Sequence, residues 1–108
     1  DLAILASDFA ISRAGASTVS EFAAAGLPAL YIPYPVGNGE QKLNVAELTS
    51  AGGGLIVADA SFTSEYVARE VVQLMSNSKR LQEMAAAAKS AGIKDGTQRL
   101  LNLVQGVL

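Results

Sequence analysis

The 108-residue sequence contains no cysteine and no histidine. The first absence excludes disulfides and thiolate metal sites, and fits a reducing compartment. The second removes the usual general base near neutral pH and the commonest metal ligand. Charge is scarce too: 17% of residues are charged and the formal net charge is −2. Nucleic acid is therefore not expected as a partner, because phosphate binding draws on an excess of Lys and Arg. No apolar run approaches the roughly 20 residues of a membrane span, and no signal-peptide pattern opens the chain. Neither a G-x-G-x-x-G nor a Walker pattern occurs. An initiator methionine is also missing, since the chain starts at Asp1, and this raises the expectation of a piece of something longer.

Half of the residues are hydrophobic, which predicts one folded domain with a working but modest core. Three short apolar runs stand out: Phe9-Ala10-Ile11, Ala29-Leu30-Tyr31-Ile32 and Leu55-Ile56-Val57. None alternates clearly, as expected of strands covered on both faces in a parallel sheet. A helix pattern from about Ser17 to Ala25 separates the first two, with Gly26 as left-handed cap and Pro28 beyond it. A second helix is predicted over about Glu40 to Ser50, with Leu43, Ala46 and Leu48 inward, ended by Gly52-Gly53-Gly54. Strand–helix–strand–helix–strand at this spacing is a βαβαβ unit.

The remainder reads as helical. Thr63 is a good N-cap for a helix carrying Val67, Val71, Leu74 and Met75. Ser78 is the predicted cap of the next, with Leu81, Met84, Ala85 and Ala88 on one stripe. Lys94-Asp95-Gly96 is expected to break it before a last amphipathic helix of Leu100, Leu101, Val104 and Val107. Three parallel strands are few for a doubly wound sheet, and the segment Asp1 to Ala6 reads as the tail of a helix. The expected fold is α/β: the C-terminal half of a Rossmann-like domain. An edge left open by absent strands would favour self-association.

Two polar stretches follow strand carboxyl ends, where open α/β sheets bind ligands. In SRAGASTVSEFAAAGLP, residues 12–28, Gly15 allows a positive φ or a close backbone approach, and Ala16 adds little bulk. The first-turn amides of Ser17, Thr18 and Val19 lack intrahelical partners and sit at the positive end of the dipole, a place for phosphate or diphosphate. Glu21 lies a turn further on, suited to ribose hydroxyls rather than to the phosphate. The plain alternative is a capping box, Thr18-Val19-Ser20-Glu21, with Glu21 bonding back to the cap amide. From spacing alone the capping box is favoured.

The second stretch is Pro33-Tyr34-Pro35-Val36-Gly37-Asn38-Gly39-Glu40-Gln41-Lys42-Leu43-Asn44. Gln41 and Asn44 are i,i+3 neighbours, and Glu40 and Asn44 are i,i+4, so their polar ends share a helix face. Amides and a carboxylate together suit sugar hydroxyls, and a solvated first turn is the alternative. Arg13 can serve a phosphate or a surface salt bridge. Gly52-Gly53-Gly54 sits between helix and strand, the wrong order for a phosphate loop. Asp8 and Asp59 are expected to serve turns, and Met75 and Met84 to pack in the core.

Those two stretches, with the looser K-D-G-T-Q-R-L at 94–100, resemble the MurG family of peptidoglycan glycosyltransferases. The resemblance covers essentially this whole chain but only about the final third of a full enzyme. It implies a two-domain GT-B fold, of which this chain is part of the C-terminal donor domain. It further implies transfer of N-acetylglucosamine from UDP-GlcNAc to undecaprenyl-pyrophosphoryl-muramoyl-pentapeptide with inversion, forming lipid II. By the same resemblance, backbone around Gly15, Ala16, Ser17 and Thr18 holds the diphosphate and nearby sugar. Glu21 takes the ribose, and Gln41 and Asn44 read the sugar. Neither metal nor cofactor is implied. The lipid-linked acceptor would be held by another domain, placing the intact enzyme on the cytoplasmic face of the membrane, and the fragment alone would be catalytically inert. Rival readings are a nucleotide- or phosphate-binding α/β module without transferase activity, and a structural domain whose polar clusters only cap helices.

Overall fold

A computed structural model describes residues 3–6, 8–35 and 40–107. The elements run β1 (Ala3–Ala6), β2 (Phe9–Ser12), α1 (Ala16–Ala25), β3 (Ala29–Tyr31), α2 (Glu40–Ser50) and β4 (Gly54–Ile56). A 3-10 turn at Asp59–Ser61 follows. Next come α3 (Ser64–Tyr66), a π turn at Val67–Val71, α4 (Val72–Met75) and α5 (Ser78–Val107). The sheet order is β1-β2-β3-β4, with β2, β3 and β4 mutually parallel and β1 antiparallel to β2. This is the expected α/β architecture, and its β2–α1–β3–α2–β4 core is the predicted βαβαβ unit.

Side-chain alternation divides the core into two layers. Ala10, Ala29 and Tyr31 pack with Val19 and Ala23 of α1, Val45 and Leu48 of α2, and Ala88 of α5. Phe9, Leu30, Ile32 and Val57 pack on the other side with Val71, Leu74, Leu81 and Met84. Both faces of the central strands are therefore covered, which is why their sequences run apolar without polar alternation. Helix α5 serves both layers, Leu81 and Met84 in one and Ala88 in the other. Gly92 lets it cross α1 closely, since a Cβ there would lie 2.8 Å from Ala23 backbone.

Several local expectations change. Ala3–Ala6 is a strand rather than a helix tail, and its pairing with Phe9–Ser12 covers the β2 edge that was expected to be open. Asp1 and Leu2 lie outside the described residues; at Ala3–Ala6 the antiparallel ladder with Phe9–Ser12 pairs the backbone groups that a helix would have paired locally. In α2, Val45 and Leu48 are buried, whereas Leu43 is 72% exposed and Ala46 is exposed. Apolar residues at 43, 45, 46 and 48 surround this helix, so periodicity alone picks no face. Thr63 does cap its helix, accepting from the Tyr66 amide, but Met75 is exposed rather than in the core.

At α5 the cap is Asn77, whose Oδ1 accepts from the Arg80 amide at 3.1 Å, not Ser78. The expected break at Lys94-Asp95-Gly96 is absent, and the helix runs for 30 residues. One glycine in a helix interior costs only about 1 kcal/mol relative to alanine, too little to stop a run of strong helix formers. Leu100, Leu101 and Val104 are on the helix as expected and are exposed, while the Val107 side chain lies outside the described residues.

Candidate functional site

Parallel register lines up Ser12, Tyr31 and Ile56 across the three strands. Residues immediately beyond them, Arg13 to Gly15, Ile32 to Pro35 and Val57 to Asp59, therefore leave the sheet along one edge. The two polar stretches meet there. Asn44 Nδ2, in the second turn of α2, donates to the Ala14 carbonyl at 3.1 Å, just ahead of α1. The amino ends of α1 and α2 are thus neighbours above the carboxyl ends of the strands.

Helix α1 starts without a side-chain cap. Its N-cap is Gly15, and no acidic residue lies in its first turn. Thr18 stands inside the helix, and Glu21 is exposed with no hydrogen-bond or ion-pair partner among the described residues. The capping box is therefore not formed. Gly15 has φ −65°, which any residue adopts, so a positive φ does not explain it. A Cβ added there would meet nothing within 4 Å among the described residues. Packing does not require the glycine either; it leaves open space in front of first-turn amides that keep their positive dipole end. Ala16 and Ser17 are exposed and Thr18 is partly so.

Helix α2 starts differently. The Tyr34 amide donates to Gln41 Oε1 at 2.8 Å, while Asn44 donates to Ala14. A backbone N–H only donates and a carbonyl only accepts, so these bonds fix both side-chain amides. The Gln41 NH2 and the Asn44 carbonyl oxygen remain without partners among the described residues. One offers donors and the other an acceptor, a pair suited to hydroxyls. The Glu40 side chain and the loop at 36–39 lie outside the described residues.

Between the two stretches stands Arg13. Its Nη1 donates to the Ile32 carbonyl at 3.3 Å and pairs with Asp59. Its guanidinium lies 4.3 Å from the centre of the Tyr34 ring. The hydrogen bond to Asp59, more than any other cause, raises the Arg13 pKa above its usual value. Of the two roles open to Arg13 from sequence, the salt bridge is the one formed. Asp59 was expected only to serve a turn, and neither its pairing nor the place of Tyr34 under Arg13 was anticipated. Each is the first or third residue past an aligned strand end, and that register was the available signal.

The cleft between α1 and α2, lined by Ala16, Ser20, Asn44 and Glu47 and closed by Ala91 and Gly92, measures about 110 Å³. A nucleotide sugar needs several hundred Å³, so the surface available to one is the open rim and not the cleft. The triple glycine has a packing explanation. Gly52 has φ 88°, and Cβ atoms at Gly53 and Gly54 would fall 2.7 Å from the Ala88 Cα and 3.0 Å from the Tyr31 ring. No group of three or more acidic, histidine or cysteine residues that could hold a metal ion exists among the described residues.

An α/β sheet with two helix amino ends over its carboxyl edge is the architecture of a nucleotide-binding half-domain. Residues 1–100 match the glycosyltransferase family 28 C-terminal domain, and the chain belongs to that family. It is 51% identical over 105 residues to a protein of Clavibacter sepedonicus named UDP-N-acetylglucosamine–N-acetylmuramyl-(pentapeptide) pyrophosphoryl-undecaprenol N-acetylglucosamine transferase. That match covers 97% of this chain and 29% of the relative. The identically named protein of Mycobacterium leprae is 51% identical over 100 residues, 93% of this chain and 25% of its own. The crystal structure of Acinetobacter baumannii MurG superposes with a TM-score of 0.73 at 33% identity, covering 92% of this chain and 28% of that one. The chain thus spans only 25–29% of the length of these three proteins.

Proposed function

We propose that this chain is the donor-binding part of an inverting glycosyltransferase that moves N-acetylglucosamine from UDP-GlcNAc to undecaprenyl-linked muramoyl-pentapeptide, forming lipid II in peptidoglycan synthesis. The observation that carries the reading is the juxtaposition of an uncapped helix end and two polarity-fixed amides on one rim. Family membership and the names of the relatives support the particular sugar and acceptor.

In this reading the amides of Ala16, Ser17 and Thr18, opened by Gly15, hold the donor diphosphate. Glu21, one turn along and unpaired, takes the ribose hydroxyls. Gln41 donates to, and Asn44 accepts from, hydroxyls of the sugar. The acceptor's 4-hydroxyl oxygen forms a bond to the anomeric carbon while the bond from that carbon to the diphosphate breaks, inverting the centre. Negative charge grows on the leaving UDP, and the positive end of α1 stabilises it, an electrostatic contribution to catalysis. The hydroxyl proton passes to a base that this reading does not place on the chain, so the chain alone binds donor without turning it over.

The acceptor is lipid-linked and held by a further domain, which puts the working enzyme on the inner face of the cell membrane as a peripheral protein. No helix among the described residues is long and apolar enough to cross a membrane. Self-association of the isolated chain through the sheet edge at β4 belongs to the same proposal. The test is to replace the matching segment of the Clavibacter sepedonicus relative with this chain and measure donor binding and turnover. Glu21→Ala and Gln41→Ala are each expected to weaken UDP-GlcNAc binding and lower turnover by about tenfold or more, the loss of one or two hydrogen bonds to a charged or polar ligand. If neither substitution changes either quantity, the site assignment is wrong. Binding without turnover in the unsubstituted graft would favour a nucleotide-binding module instead.

A further inference from the structure

Five contacts at the rim close a circuit. Arg13 holds the Ile32 carbonyl and Asp59 through its guanidinium, and the same group lies against the Tyr34 ring. The Tyr34 amide holds Gln41. Asn44, one turn on from Gln41, holds Ala14, the residue after Arg13. The β2 end, the β3 end, the turn after β4 and the first turns of α2 are thereby tied to one another. Backbone bonds from Ile32 to Ser12 and from Val57 to Tyr31 already join the strand ends; the side chains add the ties to Asp59 and to α2.

We propose that Arg13 is a positioning residue for sugar recognition: anchored by Asp59, it seats Tyr34 so that Gln41 and Asn44 are held in register with the α1 amino end. The inference rests on the donor reading above and deepens it. It assigns Arg13, beside the diphosphate place, to the sugar rather than to the phosphate. The guanidinium has a carboxylate, a carbonyl and a ring face as partners, so its charge is already matched within the chain. Lysine cannot reproduce this, because its point charge lacks the planar face that lies on the Tyr34 ring while Nη1 serves both oxygen acceptors. Asp59 belongs to the device as its anchor.

A positioning residue for the sugar separates two affinities that a merely structural residue moves together. UDP carries the diphosphate and ribose but no sugar. In the grafted enzyme, Arg13→Met and the milder Asp59→Asn are expected to raise KM for UDP-GlcNAc by about tenfold or more. Inhibition by UDP should stay within about twofold, and Arg13→Lys should fall between wild type and Arg13→Met. If UDP and UDP-GlcNAc weaken together, with a changed salt dependence, Arg13 touches the diphosphate and the proposal is overturned. Unchanged affinity for both overturns it as well. A wild-type graft that binds neither nucleotide refutes the donor reading itself.

The circuit can also be tested in the isolated 108-residue chain, with no ligand, by amide hydrogen exchange. Arg13→Met and Asp59→Asn should speed exchange at Tyr34 while amides of Leu30 and Ile32 in the central strand keep their protection. Unaltered exchange at Tyr34 overturns the positioning role whatever the donor reading's fate.

Discussion

The amino ends of α1 and α2 lie side by side yet are built in opposite ways. At α1 the N-cap is a glycine, no side chain caps the first turn, and the space ahead is open. At α2 the first turns carry Gln41 and Asn44, each already bonded to backbone of a neighbouring loop. A helix end left bare keeps its donors and dipole for an outside anion. A helix end whose side chains are tied down gives up some donors and gains fixed orientation for the rest. The first suits a diphosphate, which is charged and tolerant of direction. The second suits hydroxyls, which need donors and acceptors in set places.

The two ends share a floor, and this is where the largest effect is expected. Tyr31 is fully buried beneath α1 and α2, and its hydroxyl has no hydrogen-bond partner among the described residues. Burial pushes its pKa from 10.0 up to about 12, so the folded state holds the proton more tightly than the unfolded state. Its contribution is intact below about pH 10 and is lost as pH rises through 12, an effect of about 3 kcal/mol. Chemical denaturation across this range should show that loss in the wild type and not in Tyr31→Phe. The phenylalanine variant should also match or exceed wild-type stability at pH 7, because it removes an unsatisfied buried hydroxyl.

Next in size is the contrast between glycines. Gly15→Leu should reduce UDP-GlcNAc affinity of the grafted enzyme by about 100-fold by filling the space before α1, with a stability change within about 1 kcal/mol. Gly53→Ala should do the reverse: destabilise the chain by about 1–3 kcal/mol through collision with Ala88, with donor affinity of the folded fraction unchanged. Thermal melts and titration calorimetry separate the two. If Gly15→Leu left binding intact, the bare helix end would have no role.

The smallest effects concern the tied amides. Gln41→Glu still accepts from Tyr34 but loses its donors, so it should bind donor poorly at near wild-type stability. Asn44→Asp loses the bond to Ala14 and places a carboxylate against a carbonyl, costing about 1 kcal/mol of stability as well as affinity. Equal stability for both variants would show that the Asn44 bond does not tie the loops.

Much of this arrangement was legible beforehand, for identifiable reasons. The strands at Phe9, Ala29 and Gly54 announce themselves as short apolar runs, the second set between Pro28 and Pro33 and the third after a triple glycine, and Gly26 caps α1 in the left-handed conformation, φ 66°, as expected. Six of the seven candidate residues, Ala16, Ser17, Thr18, Glu21, Gln41 and Asn44, lie on the two helices, with Gly15 the N-cap of α1, because consecutive parallel strands deliver both helix starts to one edge. Errors arose where local signals compete with packing. The T-x-x-E spacing suggests a capping box with Thr18 as cap, but the N-cap is Gly15, three residues earlier, and that moves Thr18 inside. The Lys94-Asp95-Gly96 stop signal is worth too little to end a long alanine-rich helix. Leu43 was placed inward because α2 has apolar residues on several sides, and only the sheet beneath chooses Val45 and Leu48. The Arg13–Asp59 pair joins residues 46 apart in sequence, which no local pattern reports.

The central claim is that both helix ends serve one ligand, and a heteronuclear NMR titration of the 108-residue chain with UDP-GlcNAc tests it most directly. The backbone amides of Ala16, Ser17 and Thr18 and the side-chain amide of Gln41 should shift together along one binding curve. Shifts confined to one end, two curves of different midpoint, or no response at either end would contradict the account.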